Sequence, residues 1–144
     1  MNMSKRFNNG YYRLGELLKS KPIYGASLPA LKTGKFLYFR QSDIKNKKPK
    51  FFVNSTNGKI MNNGDFFISR AGTILPYIHE TDEKWVYAGY LIKYPLKKEM
   101  CIPKFIFYYI NGIGRKQLDI MSKTGVTMPK MNPNVAKDIK ILVP

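Results

Sequence analysis

The sequence predicts an α+β fold: a single compact domain with a twisted, mainly antiparallel sheet, a few short helices and long loops. Three observations carry that expectation. The 144 residues suffice for one domain with its own core and fall short of two. Short aromatic-rich runs recur between clusters of Gly, Pro and Asn, which is how strands and turns read in sequence. A sustained helical pattern appears after Pro95. The hydrophobic fraction of 44%, with 14% aromatic residues, belongs to a folded chain, since a disordered one is poor in both.

Taken in order, residues 1–12 read as a flexible N-terminal extension to the domain that fills 1–144. "LGELLKSK" (14–21) places Leu14, Leu17 and Leu18 at helical spacing, enough for one or two turns. Pro22 ends it, because its ring disfavours helix in the residue before it. "IYGASLPA" reads as a loop punctuated by Gly25 and Pro29, and "KFLYFR" (35–40) as a strand. Residues 44–64 contain no acid but hold Lys45, Lys47, Lys48, Lys50 and Lys59. Asn54, Asn57, Gly58, Asn62, Asn63 and Gly64 make that region turn-rich around a short strand at 51–53. "FFISR" (66–70) is the next strand, and "TILPYIH" (73–79) continues after a glycine bend, with Pro76 placing it at an edge or bulge. "WVYAGYLIKY" (85–94) is the longest strand candidate.

"PKFIFYYINGIGRKQL" begins with proline at a helix start and carries Phe105, Tyr108, Tyr109 and Ile113 at helical offsets. Gly112 and Gly114 predict a break in it. "SKTGVTMPKMNP" reads as a loop, Asn132-Pro133 as the cap of one further turn, and "IKILVP" as a closing strand.

Charge is the strongest compositional signal. Twenty-five Lys and Arg against nine Asp and Glu give a formal charge of +16. Such an excess favours a polyanionic partner, because each basic group that neutralises a phosphate releases counterions. The single cysteine, Cys101, excludes an internal disulfide and a thiolate metal cluster. No run approaches the roughly 20 apolar residues of a membrane-spanning helix. The basic N-terminus lacks the apolar stretch of a signal peptide, so a cytoplasmic location is expected.

Catalytic patterns fare poorly. Asp65 followed by Asp82-Glu83-Lys84 superficially matches an acid…acid-x-Lys metal nuclease, in which two carboxylates hold Mg²⁺ and the lysine orients water. That chemistry needs the second pair on a strand, and here it falls in a polar turn. "NGIGR" (111–115) follows an apolar helix instead of a strand and lacks the third glycine of a cofactor loop. "NPN" at 132–134 is not the motif of an amino-methyltransferase. His79, the sole histidine, has no evident partner for general-base work.

Binding residues are better represented. Tyr24, Ser27, Arg40, Gln41, Ser42, Lys45, Lys47 and Lys48 cluster near loops or strand ends. So do Ser69, Arg70, Thr73, Lys123, Thr124 and Lys130. Arg and Gln suit bidentate contacts to guanine and adenine edges, and the hydroxyl and lysine groups suit phosphates. An RNA-binding or protein-docking surface built on the aromatics of "YFRQ" or "FIFYYI" is the alternative binding reading.

In order, the segments resemble one target-recognition domain of a type I restriction-modification specificity subunit. "LGEL" and "YGAS" resemble the opening of that family, and "YFRQSDI" (38–44) its Y-x-R-x-x-D-I strand and turn. "NNGDFFISRAGTI" (62–74) resembles its x-x-G-D-[IL]-[LI]-[IV]-[ST]-R-x-G-[ST]-[IV] segment, the most specific match. "AGYLIKYPLKK", "PKFIFYYI" and "GVTMPKMNPNVAKDIKILVP" resemble the late strand, the helix behind it and the closing segment. The resemblance runs from about residue 14 to residue 144. It departs from the family at "MPKMNPNV", where members often have glutamine and asparagine.

The resemblance implies a non-catalytic component that docks on double-stranded DNA and reads half of a bipartite target. It implies a DNA adenine methyltransferase subunit and a restriction and motor subunit as partners. S-adenosylmethionine, Mg²⁺ and ATP would sit on those subunits and no cofactor on this chain. The family's long spacer helix and second recognition domain are expected to be absent, as in a half-subunit or an excised domain. Because the 62–74 segment is shared by members that read different sequences, Arg70 is expected to serve as a phosphate or subunit contact, or as an internal tie. Specificity is then expected in 45–62 and 123–130.

Overall fold

The computed structural model describes residues 10–122 and 131–142, and the fold over them is α+β. The first element of the described residues is β1 (Tyr11–Arg13), so the tyrosines at the end of the expected extension are strand residues, and Tyr12 is buried. A 3₁₀ turn, Leu14–Leu17, replaces the expected helix. The Arg13 N–H donates to Glu16 Oε1 at 3.1 Å. Leu14 and Leu17 are fully buried, and the Leu14 and Gly15 amides bond the carbonyls of Ile139 and Lys137. The two ends of the domain are thereby joined, a join completed by β10 (Lys140–Leu142) pairing antiparallel with β1.

Two four-stranded sheets form the body. One has the order β2 (Ile23–Tyr24), β9 (Leu91–Lys93), β6 (Phe66–Ser69), β7 (Pro76–Ile78), all antiparallel. Pro76 lies on β7, an edge strand, where its missing N–H costs no ladder bond. The other has the order β4 (Phe51–Val53), β3 (Phe36–Phe39), β8 (Trp85–Tyr87), β5 (Ile60–Met61), with β3 and β8 parallel. Besides β1, two short strands had no expectation: β2, which lay in the "IYGASLPA" loop, and β5, in the turn-rich region.

The expected long strand at 85–94 is two strands in different sheets. At Ala88-Gly89-Tyr90 the chain turns, closed by Leu91 N–H to the Ala88 carbonyl at 3.0 Å. A Cβ on residue 89 would lie 2.5 Å from Ser27 Oγ, so a larger residue there needs the Ser27 hydroxyl to rotate away. Local alternation cannot register that contact, which comes from a segment 62 positions away.

In the first sheet β6 is buried on both faces. Phe66 and Ile68 pack with Leu14, Leu17, Ile106, Ile110 and Leu118 on the helical side. Phe67 points the other way, among Phe39, Met61, Tyr77, Trp85, Tyr87 and Leu91 between the sheets. Its full burial stabilises the fold by roughly 2–3 kcal/mol. Tyr38, Val53, Val86, Ala26 and Ala88 form a third cluster on the outer face of the second sheet.

The helical layer begins with α1 (Pro103–Asn111), which has proline in its first turn and buries Ile106, Tyr109 and Ile110. It breaks at the expected glycines before α2 (Arg115–Ser122). Asn132 caps α3 (Pro133–Ala136), its side chain accepting from the Asn134 N–H at 2.8 Å.

Buried acids set the alkaline limit of this fold. Burial, and secondarily the Glu80 carboxylate, pushes Tyr77 up to about 12. Burial raises Tyr87 and Tyr94 as well, and lifts the Cys101 thiol to about 11. In the unfolded chain tyrosines ionise near pH 10, so the native state holds more protons above that pH. The stabilisation is complete below about pH 9 for Cys101 and about pH 10 for the tyrosines, and is lost as pH rises through the folded values. The slope is about 1.4 kcal/mol per pH unit for each such tyrosine. Urea midpoints should be level from about pH 8 to 9 and fall steeply beyond about pH 10; a level midpoint at pH 11 would contradict this burial.

Candidate nucleic-acid interface

Strand β3 ends at Phe39, and the chain turns at once through a second 3₁₀ turn, Gln41–Asp43. Asp43 makes the turn: its buried carboxylate accepts the Arg40 N–H at 2.9 Å, and its own N–H returns to the Arg40 carbonyl at 2.9 Å. The Asp of "YFRQSDI" is therefore structural. Arg40 then lies across the Phe51 ring, its guanidinium carbon 4.2 Å from the centroid.

Strand β6 ends at Ser69, and the 70–73 turn leaves it. Gly72 adopts φ +68°, a conformation that side chains with Cβ avoid. The Gln41 Nε2 amide donates to the Ala71 carbonyl, clamping this turn to the 41–43 turn. Between the two lies an open groove of about 630 Å³ lined by Arg40, Gln41, Ser42, Lys45, Ala71, Gly72, Thr73, Leu75 and Tyr90.

Arg70 stands beside this groove. Its backbone is fixed on both sides, the N–H to the Tyr90 carbonyl at 2.9 Å and the carbonyl accepting from Met131 at 2.8 Å. Its guanidinium carbon lies 5.1 Å from the Tyr24 ring centroid and 5.6 Å from that of Tyr90, and Nη1 donates to the Gly89 carbonyl at 3.3 Å. Both tyrosines are exposed, 44% for Tyr24 and 60% for Tyr90.

"YGAS" builds the floor beneath them. The Gly25 N–H bonds Leu91 O and the Ala26 N–H bonds Tyr87 O. A Cβ on Gly25 would meet the Ala88 carbonyl oxygen at 2.0 Å, so only glycine permits this approach.

The structure thus brings most of the candidate residues together. Arg40, Gln41, Ser42, Lys45 and Thr73 line one groove, and Tyr24 and Arg70 meet at its Tyr90 wall. Ser27 packs against Gly89, and Lys47 and Lys48 are exposed just beyond Lys45. Gln41 is half-buried and spends its amide on the clamp.

Ser69 is a correction. It is 0% exposed, its Oγ accepting from Leu75 N–H at 2.8 Å and donating to Thr73 O at 3.3 Å. A short hydroxyl at the end of an internal strand holds the turn and has no surface to offer a duplex. Lys123, Thr124 and Lys130 lie outside the described residues, although Met131, next in the chain, is bonded to Arg70. Tyr90 was missed because the 85–94 run read as an uninterrupted strand; the Ala-Gly-Tyr break within it was the available signal.

The two aspartates of the nuclease alternative are committed elsewhere. Asp65 accepts the Asn62 N–H at 2.8 Å and pairs with Lys93 Nζ at 3.0 Å. Asp82 accepts from Asn63 Nδ2 at 3.0 Å. His79 is 0% exposed. Its Nε2 lies 2.6 Å from the Glu83 carbonyl, which can only accept, so that nitrogen carries the proton; Nδ1 then accepts from Tyr77 Oη at 3.4 Å. Among the described residues no group of three His, Cys, Asp or Glu could hold a metal ion. Nor is any helix among them long and apolar enough to cross a membrane.

Residues 8–144 match the family model described as the type I restriction modification DNA specificity domain. Solved structures share the fold. A chain from a structure addressing complex assembly and conformational transition of the type I R-M system aligns with a TM-score of 0.68 at 15% identity, covering 100% of this chain and 36% of that one. The HsdS subunit from Thermoanaerobacter tengcongensis aligns at 0.67 and 18% identity, over 99% and 35%. The S subunit of a type I restriction-modification system from M. genitalium aligns at 0.67 and 15% identity, over 98% and 36%. The chain therefore spans about a third of the length of these structures. No curated protein matches the sequence.

Proposed function

The chain belongs to the type I restriction modification DNA specificity domain family, and from that premise we propose that it docks on double-stranded DNA and reads half of a bipartite target. The observation that carries this reading is the convergence of two distant segments, 40–45 and 70–73, into one groove with basic and hydroxyl side chains on its walls. Arg40 and Lys45 suit phosphates or guanine edges, and Ser42 and Thr73 suit either bases or phosphates. The net charge of +16 supplies the long-range attraction.

In this reading the chain contributes an address and no bond-making step. A partner methyltransferase subunit would flip and methylate an adenine using S-adenosylmethionine, and a motor subunit using ATP and Mg²⁺ would cut unmodified DNA, in the cytoplasm. The commitment of Asp65 to Lys93, and of Asp82 to Asn63, supports a non-catalytic role.

Selection by the purified chain from a random duplex library tests the proposal. It should enrich a short motif that competes better than scrambled duplex and better than structured RNA. Equal enrichment of all duplexes, or preference for the RNA, would sink sequence reading on DNA.

A further inference from the structure

We infer that Arg70, held against Tyr24 and Tyr90, is a preformed anchor for one phosphate of the DNA backbone, and that base identity is read elsewhere in the groove. The inference rests on the DNA-binding reading above and assigns a role within it.

The Arg70 side chain is exposed yet ordered by three contacts: the Tyr24 ring, the Tyr90 ring and the Gly89 carbonyl. That carbonyl belongs to a turn fixed by Arg70 N–H to Tyr90 O and by Leu91 N–H to Ala88 O. Those two backbone bonds hold the seat, and Ser27 packs on the turn, its Oγ 2.5 Å from where a Cβ on residue 89 would lie. Guanidinium has five N–H donors in a planar fork, and Gly89 takes one. No carboxylate among the described residues forms an ion pair with Arg70, and residues 1–9, 123–130 and 143–144 contain no Asp or Glu. The charge is left unneutralised, with donors to spare and its ordering cost already met within the fold.

Planar forks of this kind bind phosphate through two parallel N–H···O bonds. Reading a base edge instead requires a side chain that extends into the DNA groove, whereas Arg70 is drawn back onto the 88–90 turn. The donors that Gly89 leaves free suit a phosphate oxygen pair. The cationic and hydroxyl side chains that line the groove, Lys45, Ser42 and Thr73, are the candidates for base reading.

The test compares wild type, Arg70→Ala, Arg70→Lys and Tyr90→Ala by fluorescence anisotropy. The probes are the duplex enriched in the selection above and its scrambled counterpart, over a range of salt, with circular dichroism to establish folding. Arg70→Ala should weaken both duplexes by the same factor, about tenfold, and reduce the salt slope by about 0.9. Arg70→Lys should keep the slope, since the charge remains. Tyr90→Ala should weaken both duplexes equally while keeping the slope, because it removes the restraint and leaves the charge. A folded Arg70→Ala that changes the preference between the two duplexes overturns the anchor in favour of base reading. One that leaves affinity and slope intact reduces Arg70 to an internal tie. Failure of wild type to bind either duplex overturns the DNA-binding reading itself, and the anchor with it.

Discussion

Replacing Gly25 by alanine is expected to destabilise the fold by about 3 kcal/mol, far more than a methyl group at a half-buried position normally would. The added Cβ would sit 2.0 Å from the Ala88 carbonyl oxygen and 2.4 Å from its carbon. Neither atom can retreat cheaply. The Ala88 N–H is bonded to Phe39 O at 2.9 Å, and the Ala88 carbonyl accepts from Leu91 at 3.0 Å. The clash therefore transmits to β3 and β9, one from each sheet, and loosens the join between them. Gly58→Ala is the control. There φ is +71° but nothing lies within 4 Å, so only backbone strain of about 1–2 kcal/mol is expected. Urea unfolding of the two variants separates these costs. Equal midpoints would mean that the 25–88 approach is slack, and the account of "YGAS" given above would fail. Because this approach also seats Tyr24 beside Arg70, Gly25→Ala should weaken DNA binding even under conditions where the variant remains folded.

Raising monovalent salt from about 50 to about 200 mM should weaken duplex binding roughly 500-fold. Arg40, Lys45, Lys47, Lys48 and Arg70 stand on or beside the groove. Five phosphate contacts give a slope of about −4.5 in log K against log salt. The five are a minority of the 25 Lys and Arg, so a net charge of +16 does not translate into sixteen contacts. A measured slope shallower than about −2 would show that the groove is not the DNA-facing surface. Triple replacement of Lys45, Lys47 and Lys48 by alanine should bring the slope to about −2 by itself, a direct check on which lysines contribute.

The strands at 36–39, 51–53 and 66–69, the proline-started helix and its break at Gly112–Gly114 could be read from local pattern, because each depends on residues within a few positions of one another. The two-residue strands β2 and β5 could not. A strand so short has no periodicity, and it exists only because β9 and β8 offer partners. The same limit governs the site. The candidate residues at 40–45 and 70–73 were found by their chemistry, yet Gln41 and Ser69, which looked equally suited to bind, proved to hold the turns together.

By itself the sequence determined the α+β class, the basic character and the ordered set of segments that mark the family, since all three are properties of composition and of neighbours along the chain. Only the tertiary structure decided that 85–94 divides between two sheets, that Tyr90 flanks Arg70, and which polar groups face inward. The physical reason lies in the contacts themselves: Gly25 on Ala88, Ser27 on Gly89, Gln41 on Ala71. Each joins residues separated by thirty positions or more, and whether a side chain is exposed or spent on the fold depends on which distant segment it meets.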